Sequence, residues 1–111
     1  MIIKYKPNKI TATLQAVVAG EFHDGAAGET VRCCVEKLLR DAGFDVDVKL
    51  KYYTMDRISI EETKITAALR LKVTGEFYDD EASEETLRYC VEQDLEDAGF
   101  YADVSVVRDG K

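Results

Sequence analysis

The residues best suited to chemistry cluster around a single histidine. His23 lies between Glu21 and Asp24, and a histidine with two carboxylates is a set that transition metals bind. The equivalent of His23 later in the chain is Tyr78, however, and Asp24 and Asp79 precede helical patterns, where an aspartate accepts backbone hydrogen bonds as an N-cap. We therefore expect capping, no metal and no cofactor. With one histidine there is no set of converging acid, base and nucleophile, so no catalytic residue and no enzyme are predicted.

The three cysteines are Cys33, Cys34 and Cys90. Their spacing matches neither a disulfide framework nor the paired spacing of a zinc site, which predicts reduced thiols. Cys34 and Cys90 lie on the apolar stripes of two predicted helices, where we expect them to act as small core residues. Cys33 lies off its stripe and is the one thiol expected to react.

Nucleotide-binding signatures are missing from the sequence. A phosphate-binding loop after the first strand would need glycines and a cation, but residues 20–24 read Gly-Glu-Phe-His-Asp. An RNA-recognition sheet needs aromatic side chains on its open face, and Tyr101 is the aromatic residue expected near it. The net charge of −7 also repels phosphate backbones, so direct nucleic-acid binding is not expected.

The composition is that of one ordinary globular domain. The chain has 111 residues, of which 46% are hydrophobic and 33% charged, a balance that is too apolar for disorder. There is no apolar run long enough to cross a bilayer, and the first residues lack the apolar core of a secretory signal. We expect no membrane contact and a cytoplasmic location.

The sequence contains an internal repeat. Residues 9–24 align with residues 64–79 at 10 identical positions of 16, and residues 29–51 align with residues 85–107 at 13 of 23. Repeats of this length indicate one structural unit used twice. We predict a single domain, 1–111, made of two tandem repeats, 1–55 and 56–111.

Each repeat reads as strand, helix, strand. Apolar residues alternate from Ile10 to Val18, then recur at three, four and seven residues from Val31 to Ala42, and Gly43 supplies a helix end. Alternation resumes from Phe44 to Tyr52, with Tyr52 expected on the core face. Two such units give β-α-β-β-α-β, an α+β sandwich with an antiparallel sheet and both helices on one face. That arrangement is similar to the ferredoxin-like fold.

An additional short strand is an alternative for each repeat. Ile3 and Tyr5, and likewise Ile58 and Ile60, are out of phase with the alternation that follows them. Each unit would then be β-β-α-β, with a longer central hairpin near residues 55–57.

The two repeats differ in charge. Residues 1–55 hold 8 Lys and Arg against 7 Asp and Glu, whereas residues 56–111 hold 7 against 15. On a helix, Glu81, Glu85, Glu92 and Glu96 would form an outward acidic stripe. The stripe is either a solvated face or a docking surface for a basic protein. The candidate partner-binding residues are Asp80, Glu81, Glu84, Glu85, Glu92, Asp94, Glu96 and Asp97.

A basic patch is predicted on the open sheet face, from Lys49, Lys51, Arg70 and Lys72. This patch would either form the contact between two copies in a homodimer or simply be the solvent-exposed face of the sheet. Together these features favour a small, acidic, non-catalytic binding protein. One version mimics nucleic acid, as inhibitors of phage or mobile-element type (anti-CRISPR-like) do. The alternative is a pseudo-symmetric module for small-molecule sensing or dimerisation, and an enzyme is the least favoured class.

Overall fold

The computed structural model describes residues 7–23, 25–78 and 80–108. Along the chain the elements follow the predicted order β-α-β-β-α-β. They are β1 (Asn8–His23), α1 (Gly28–Asp41), β2 (Asp45–Arg57), β3 (Glu62–Phe77), α2 (Glu84–Asp97) and β4 (Tyr101–Val106). Neither helix is long and apolar enough to cross a membrane, within the described residues.

The four strands form one antiparallel sheet in the order β2-β3-β1-β4. Alternate residues of the two central strands, such as Leu14 and Leu69, are fully buried, and they share one core with Val35 of α1 and Val91 of α2. Burying one face of each strand against both helices leaves the other sheet face open. The predicted small α+β arrangement of four antiparallel strands and two helices is confirmed.

Glycines end both helices where the sequence predicted. Gly43 has φ of 101° and Gly99 has φ of 97°, the left-handed region that is open to a residue without a Cβ. The following amides, Phe44 N and Phe100 N, donate to the carbonyls of Leu39 and Leu95. The chain therefore turns sharply from each helix into the next strand.

The helix starts differ from the prediction. The N-cap residues are Ala27 and Ser83, and their backbone amides donate to the hydroxyls of Thr30 and Thr86 at 3.0 and 3.1 Å. The predicted caps, residues 24 and 79, lie outside the described residues and several positions before the helices begin. A threonine in the first turn satisfies the cap amide from inside the helix, and nothing in the hydrophobic pattern signals this.

A β-bulge in β2 changes which tyrosine faces the helices. Leu50 pairs with Leu69 and Tyr52 with Ala68, so Lys51 is an extra residue without a partner in β3. The alternation therefore reverses after Lys51. The expectation for Tyr52 is wrong: it lies on the open face, and Tyr53 takes the helix side.

The hairpin between β2 and β3 is longer than the minimal fold needs. β2 continues to Arg57, and residues 58–61 form the turn, in which Ser59 Oγ accepts the amides of Glu61 and Glu62. Ile58 and Ile60 thus belong to a turn, and the additional strand predicted for the second repeat is wrong, although the predicted lengthening near residues 55–57 is present. Ile3 and Tyr5 lie outside the described residues.

Candidate functional site

The second helix carries the acidic surface. α2 holds six carboxylates and one arginine, whereas α1 holds three residues of each sign. Exposed carboxylates of this region are Asp80, Glu81, Glu84, Glu85, Glu96 and Asp97, while Glu92 and Asp94 are partly buried. α2 begins at Glu84, so Glu81 precedes the helix and the predicted four-residue stripe is interrupted at its start.

Two of the predicted carboxylates are bound to Arg88. Arg88 Nε donates to Glu85 Oε2 at 2.8 Å, and Nη1 donates to Glu92 Oε2 and to the Val104 carbonyl oxygen. The hydrogen bond to Glu85 raises the pKa of Arg88. This clamp neutralises part of the negative charge and ties α2 to β4.

The same clamp occurs on the first helix. Arg32 Nε donates to Glu29 at 2.8 Å and Nη1 to Glu36 at 3.4 Å, at positions that the sequence alignment equates with those of Arg88, Glu85 and Glu92. A feature that is also present on α1, where acidic and basic residues are balanced, is explained by local helix stabilisation. Asp97 likewise aligns with Asp41, so the carboxylates that distinguish α2 from α1 are Glu84, Asp94 and Glu96.

Five carboxylates in α2 and the loop before it have no acidic counterpart in the first half of the chain. Glu84 replaces Gly28, Asp94 replaces Leu38 and Glu96 replaces Arg40, and the loop before the helix adds Asp80 and Glu81. Acidic residues in a first turn also stabilise the helix through its dipole, which accounts for part of the role of Glu84. The dipole does not account for Glu96, which lies near the end of α2.

Two exposed tyrosines accompany these carboxylates, and the sequence analysis did not select them. Tyr89 is 57% exposed on α2, and Tyr78 is 76% exposed just before it. In the alignment of the two halves they stand opposite Cys33 and His23. The aligned halves differ at these two positions in residue type but not in net charge at neutral pH, so a comparison of charge alone does not identify them. Exposed tyrosine is typical of protein interfaces because its ring contributes a large contact area at low entropic cost.

Asp94 lies partly buried beside the α2 core. Burial raises the pKa of its carboxyl, and the nearby charge of Asp97 adds to the rise. Burial also raises the pKa of the Cys90 thiol, and Asp94 contributes a smaller part. The ionised carboxyl of Asp94 is therefore less favourable in the folded protein than in water.

The cysteine expectations are partly wrong. Cys90 is partly buried, but Cys34 is exposed, as Cys33 is. The line of α1 that contacts the sheet runs through Val31, Val35 and Leu39, and Cys34 lies to one side of that line. Reactivity is therefore expected at both adjacent thiols of α1.

The predicted basic patch is assembled in part. In the strand register Lys49 lies opposite Arg70, whereas Lys72 lies opposite Asp47, so a carboxylate interrupts the patch. Lys51 is set apart by the bulge. The face is thus of mixed sign, with a shallow depression of about 180 Å³ at its centre.

No metal centre is visible in the described part of the chain, where no three His, Cys, Asp or Glu side chains are grouped to hold an ion. Two shallow openings lie at equivalent ends of the sheet. One lies beside Gly43, with Lys9 and Glu76, and the other beside Gly99, with Lys64 and Glu21.

No family model and no curated protein matches the sequence. Solved structures that are similar include a hydantoinase/carbamoylase family amidase from Burkholderia ambifaria, with 11% identity, TM-score 0.41, and coverage of 92% of this chain and 28% of that one. An aminopeptidase from Bacillus cereus has 13% identity and TM-score 0.43, with 89% and 29% covered. An ACT domain protein from Streptococcus pneumoniae has 14% identity and TM-score 0.39, with 86% and 89% covered. The chain spans less than a third of the two enzymes, and no functional assignment follows.

Proposed function

We propose that the protein is a small, cytoplasmic, non-catalytic binding protein that docks α2 and the loop before it onto a basic protein surface. The single observation that carries this proposal is the coincidence of two changes in one segment, α2 and the loop before it. Relative to the first repeat, this segment has gained both carboxylates and exposed tyrosines. Carboxylates alone would add only solubility, whereas tyrosines exposed to water add none.

The docking surface runs from Asp80 and Glu84, at the entry to α2, to Tyr89 and Glu96, which lie on one face of the helix because they are seven residues apart. A negative field attracts a basic partner over a distance of about 10 Å, and the ring supplies apolar contact once the surfaces meet. Glu85 and Glu92 contribute less, because Arg88 already binds both. The version in which the surface mimics nucleic acid is a special case of this proposal, in which the partner normally binds phosphates.

A duplicated fold would account for a docking surface on α2 and not on α1. We infer that the whole chain, 1–111, is a single ferredoxin-like domain made by duplication of units 1–55 and 56–111. The sheet register supports this, because the equivalent residues Gln15 and Arg70 pair with each other. After duplication, α1 retains the structural role and α2 is free to change its outer surface.

The test compares two variants that lose the same charge at different places. D80N/E84Q/E96Q neutralises the docking surface, and D41N/D45N/E61Q neutralises three exposed carboxylates elsewhere. Partners are captured from a lysate of the source cells by wild-type protein and both variants, and are quantified by mass spectrometry. We expect a basic protein to be retained by the wild type and the control variant, and reduced at least tenfold with D80N/E84Q/E96Q, which corresponds to about 1.4 kcal/mol.

A partner that all three proteins retain equally would contradict the proposal. Displacement of the partner by duplex DNA would favour the nucleic-acid-mimic version. If DNA at saturating concentration displaces nothing, the partner uses another basic surface.

A small-molecule sensor is a second candidate. The two equivalent openings beside Gly43 and Gly99, each holding one lysine and one glutamate, favour it. Thermal unfolding in a metabolite panel distinguishes the two functions, since a ligand at 100 times its Kd stabilises the folded state by about 2.7 kcal/mol. Stabilisation that is lost in K9Q and K64Q would favour sensing.

A further inference from the structure

The open face of the sheet carries an apolar band that crosses all four strands. The register places Tyr52, Ala68 and Val17 side by side on β2, β3 and β1, with Asp103 of β4 at the end of this row. In the next row it places Ala19 beside Tyr101 on one side and beside Thr66 and Thr54 on the other. We call Tyr52, Ala68, Val17, Ala19 and Tyr101 the apolar band. Ala19 and Ala68 do not belong to the core under the helices, although both are buried.

The band has the shape of a shallow trough. Ala68 and Ala19 form its floor at 3% and 7% exposure, while Tyr52 and Tyr101, at 68% and 76%, stand at the two edge strands. Tyr52 reaches this face because of the bulge at Lys51. Without the bulge, a tyrosine at position 52 would face the helices, so the local irregularity of β2 has the effect of completing an exposed apolar surface.

Charges of opposite sign flank the band. On one side, Lys49 and Arg70 lie directly opposite each other, and in the part of the chain that the structure describes neither forms an ion pair. Like charges at paired positions repel each other. On the other side, Lys64 pairs with both Asp56 and Glu21, which leaves that row negative.

We propose that this face binds a second copy of the chain, sheet against sheet, in a dimer with two-fold symmetry. A two-fold axis that runs across the strands, midway between the two rows of the apolar band, lays each row over the other row of the second copy, so that Val17 lies over Ala19, Tyr52 over Thr54 and Tyr101 over Asp103. The same rotation lays Lys49 of each copy over Asp56 of the other, because the two residues lie on β2 on opposite sides of the axis. It also lays Arg70 over Lys64, and the carboxylates of Asp56 and Glu21 flank that lysine on the neighbouring strands. A self-complementary surface of this kind is what a two-fold interface requires.

The alternation of positive and negative rows of side chains favours a second copy of the chain over a nucleic acid as the partner of this face. A phosphate backbone needs a face of uniform positive charge, and the row of Asp56 and Glu21 opposes it. A second copy, by contrast, lays its row of Asp56, Lys64 and Glu21, which is net negative, over the positive row of Lys49 and Arg70. The two carboxylates of that row offset the repulsion between Lys49 and Arg70.

The contact area indicates how tightly the two copies are expected to associate. Four strands spaced about 4.8 Å apart and four rows of about 6.8 Å give a face of about 500 Å² per copy, or about 1,000 Å² in the pair. This is at the lower limit for a specific interface and predicts a weak, reversible dimer with a Kd of about 10 to 100 µM. The proposal does not depend on the docking surface of α2, which lies on the other side of the sheet.

The test uses charge reversal on β2 and sedimentation velocity from about 1 to about 500 µM. K49E places two glutamates over Asp56, and D56K places two lysines over Lys49, so each variant alone should dimerise at least tenfold more weakly than the wild type. An equimolar mixture of K49E and D56K restores both opposite-charge contacts and should dimerise about as well as the wild type. K37E, with the same charge change on the exposed side of α1, is the matched control and should behave as the wild type does.

Circular dichroism of each variant confirms that it is folded before it is compared. A wild-type protein that stays monomeric at the highest concentration would overturn the proposal, and so would single variants that dimerise normally or a mixture that remains monomeric. A monomer whose tyrosine fluorescence is quenched by single-stranded oligonucleotides would assign the apolar band to base stacking instead.

Discussion

The contact between Tyr53 and Gly28 allows a direct check of the β-bulge, and we predict that G28A destabilises the protein because of Tyr53. A Cβ added at Gly28 would lie 2.6 Å from Tyr53 Cγ and 2.9 Å from Leu50 Cδ2, well inside van der Waals contact. Overpacking costs about 1 to 3 kcal/mol. Alanine recovers at most about 1 kcal/mol through its higher helix propensity, so the expected net loss is about 1 to 2 kcal/mol.

Urea denaturation followed by circular dichroism measures this loss. With a slope of about 1.5 kcal/mol per M, the midpoint should fall by about 1 M. In a Y53A background the added methyl has room, so G28A should cost little there or even stabilise. In a Y52A background the full cost should remain, because Tyr52 lies on the opposite face. Equal costs of G28A in the two backgrounds would refute the bulge and the placement of both tyrosines.

Two further predictions concern titratable groups. Because the folded-state pKa of Asp94 is raised above its ordinary value of 3.8, the protonated form favours folding at low pH, and this contribution is lost as pH rises through the folded-state pKa. D94N should therefore unfold at a higher temperature than the wild type at neutral pH and at the same temperature well below pH 3.8, whereas an unchanged difference at both would contradict the assignment. With Ellman's reagent, Cys33 and Cys34 should react fast and Cys90 slowly in the native protein, and D94N should accelerate Cys90. Three equally fast thiols would show that Cys90 is not held in the helix as described.

Hydrophobic periodicity predicted the elements well because burial is decided along each element. Residues such as Leu14 and Leu71 alternate with polar neighbours, and Gly43 and Gly99 mark helix ends through backbone conformation alone. These are local properties, so a single sequence reports them.

The features that sequence reasoning missed depend on contacts between elements. The bulge at Lys51 places Tyr53 against Gly28, a contact between residues 25 positions apart, and alternation alone cannot foresee it. Cys34 fits a helical stripe but lies beside the line of contact with the sheet. In the candidate site, the charge difference between the two halves was enough to predict the acidic residues. Tyr89 could be predicted only by comparing the two halves by residue type as well as by charge.

The most direct test of the docking surface places a photo-crosslinking amino acid, p-benzoylphenylalanine, at one of two equivalent positions. Position 89 lies on the proposed surface, and position 33 is its equivalent on α1. After irradiation of living cells, we predict a covalent adduct with a basic protein from position 89 and none from position 33. The same adduct from both positions, or an adduct from position 33 alone, would contradict the claim that the second helix contacts the partner.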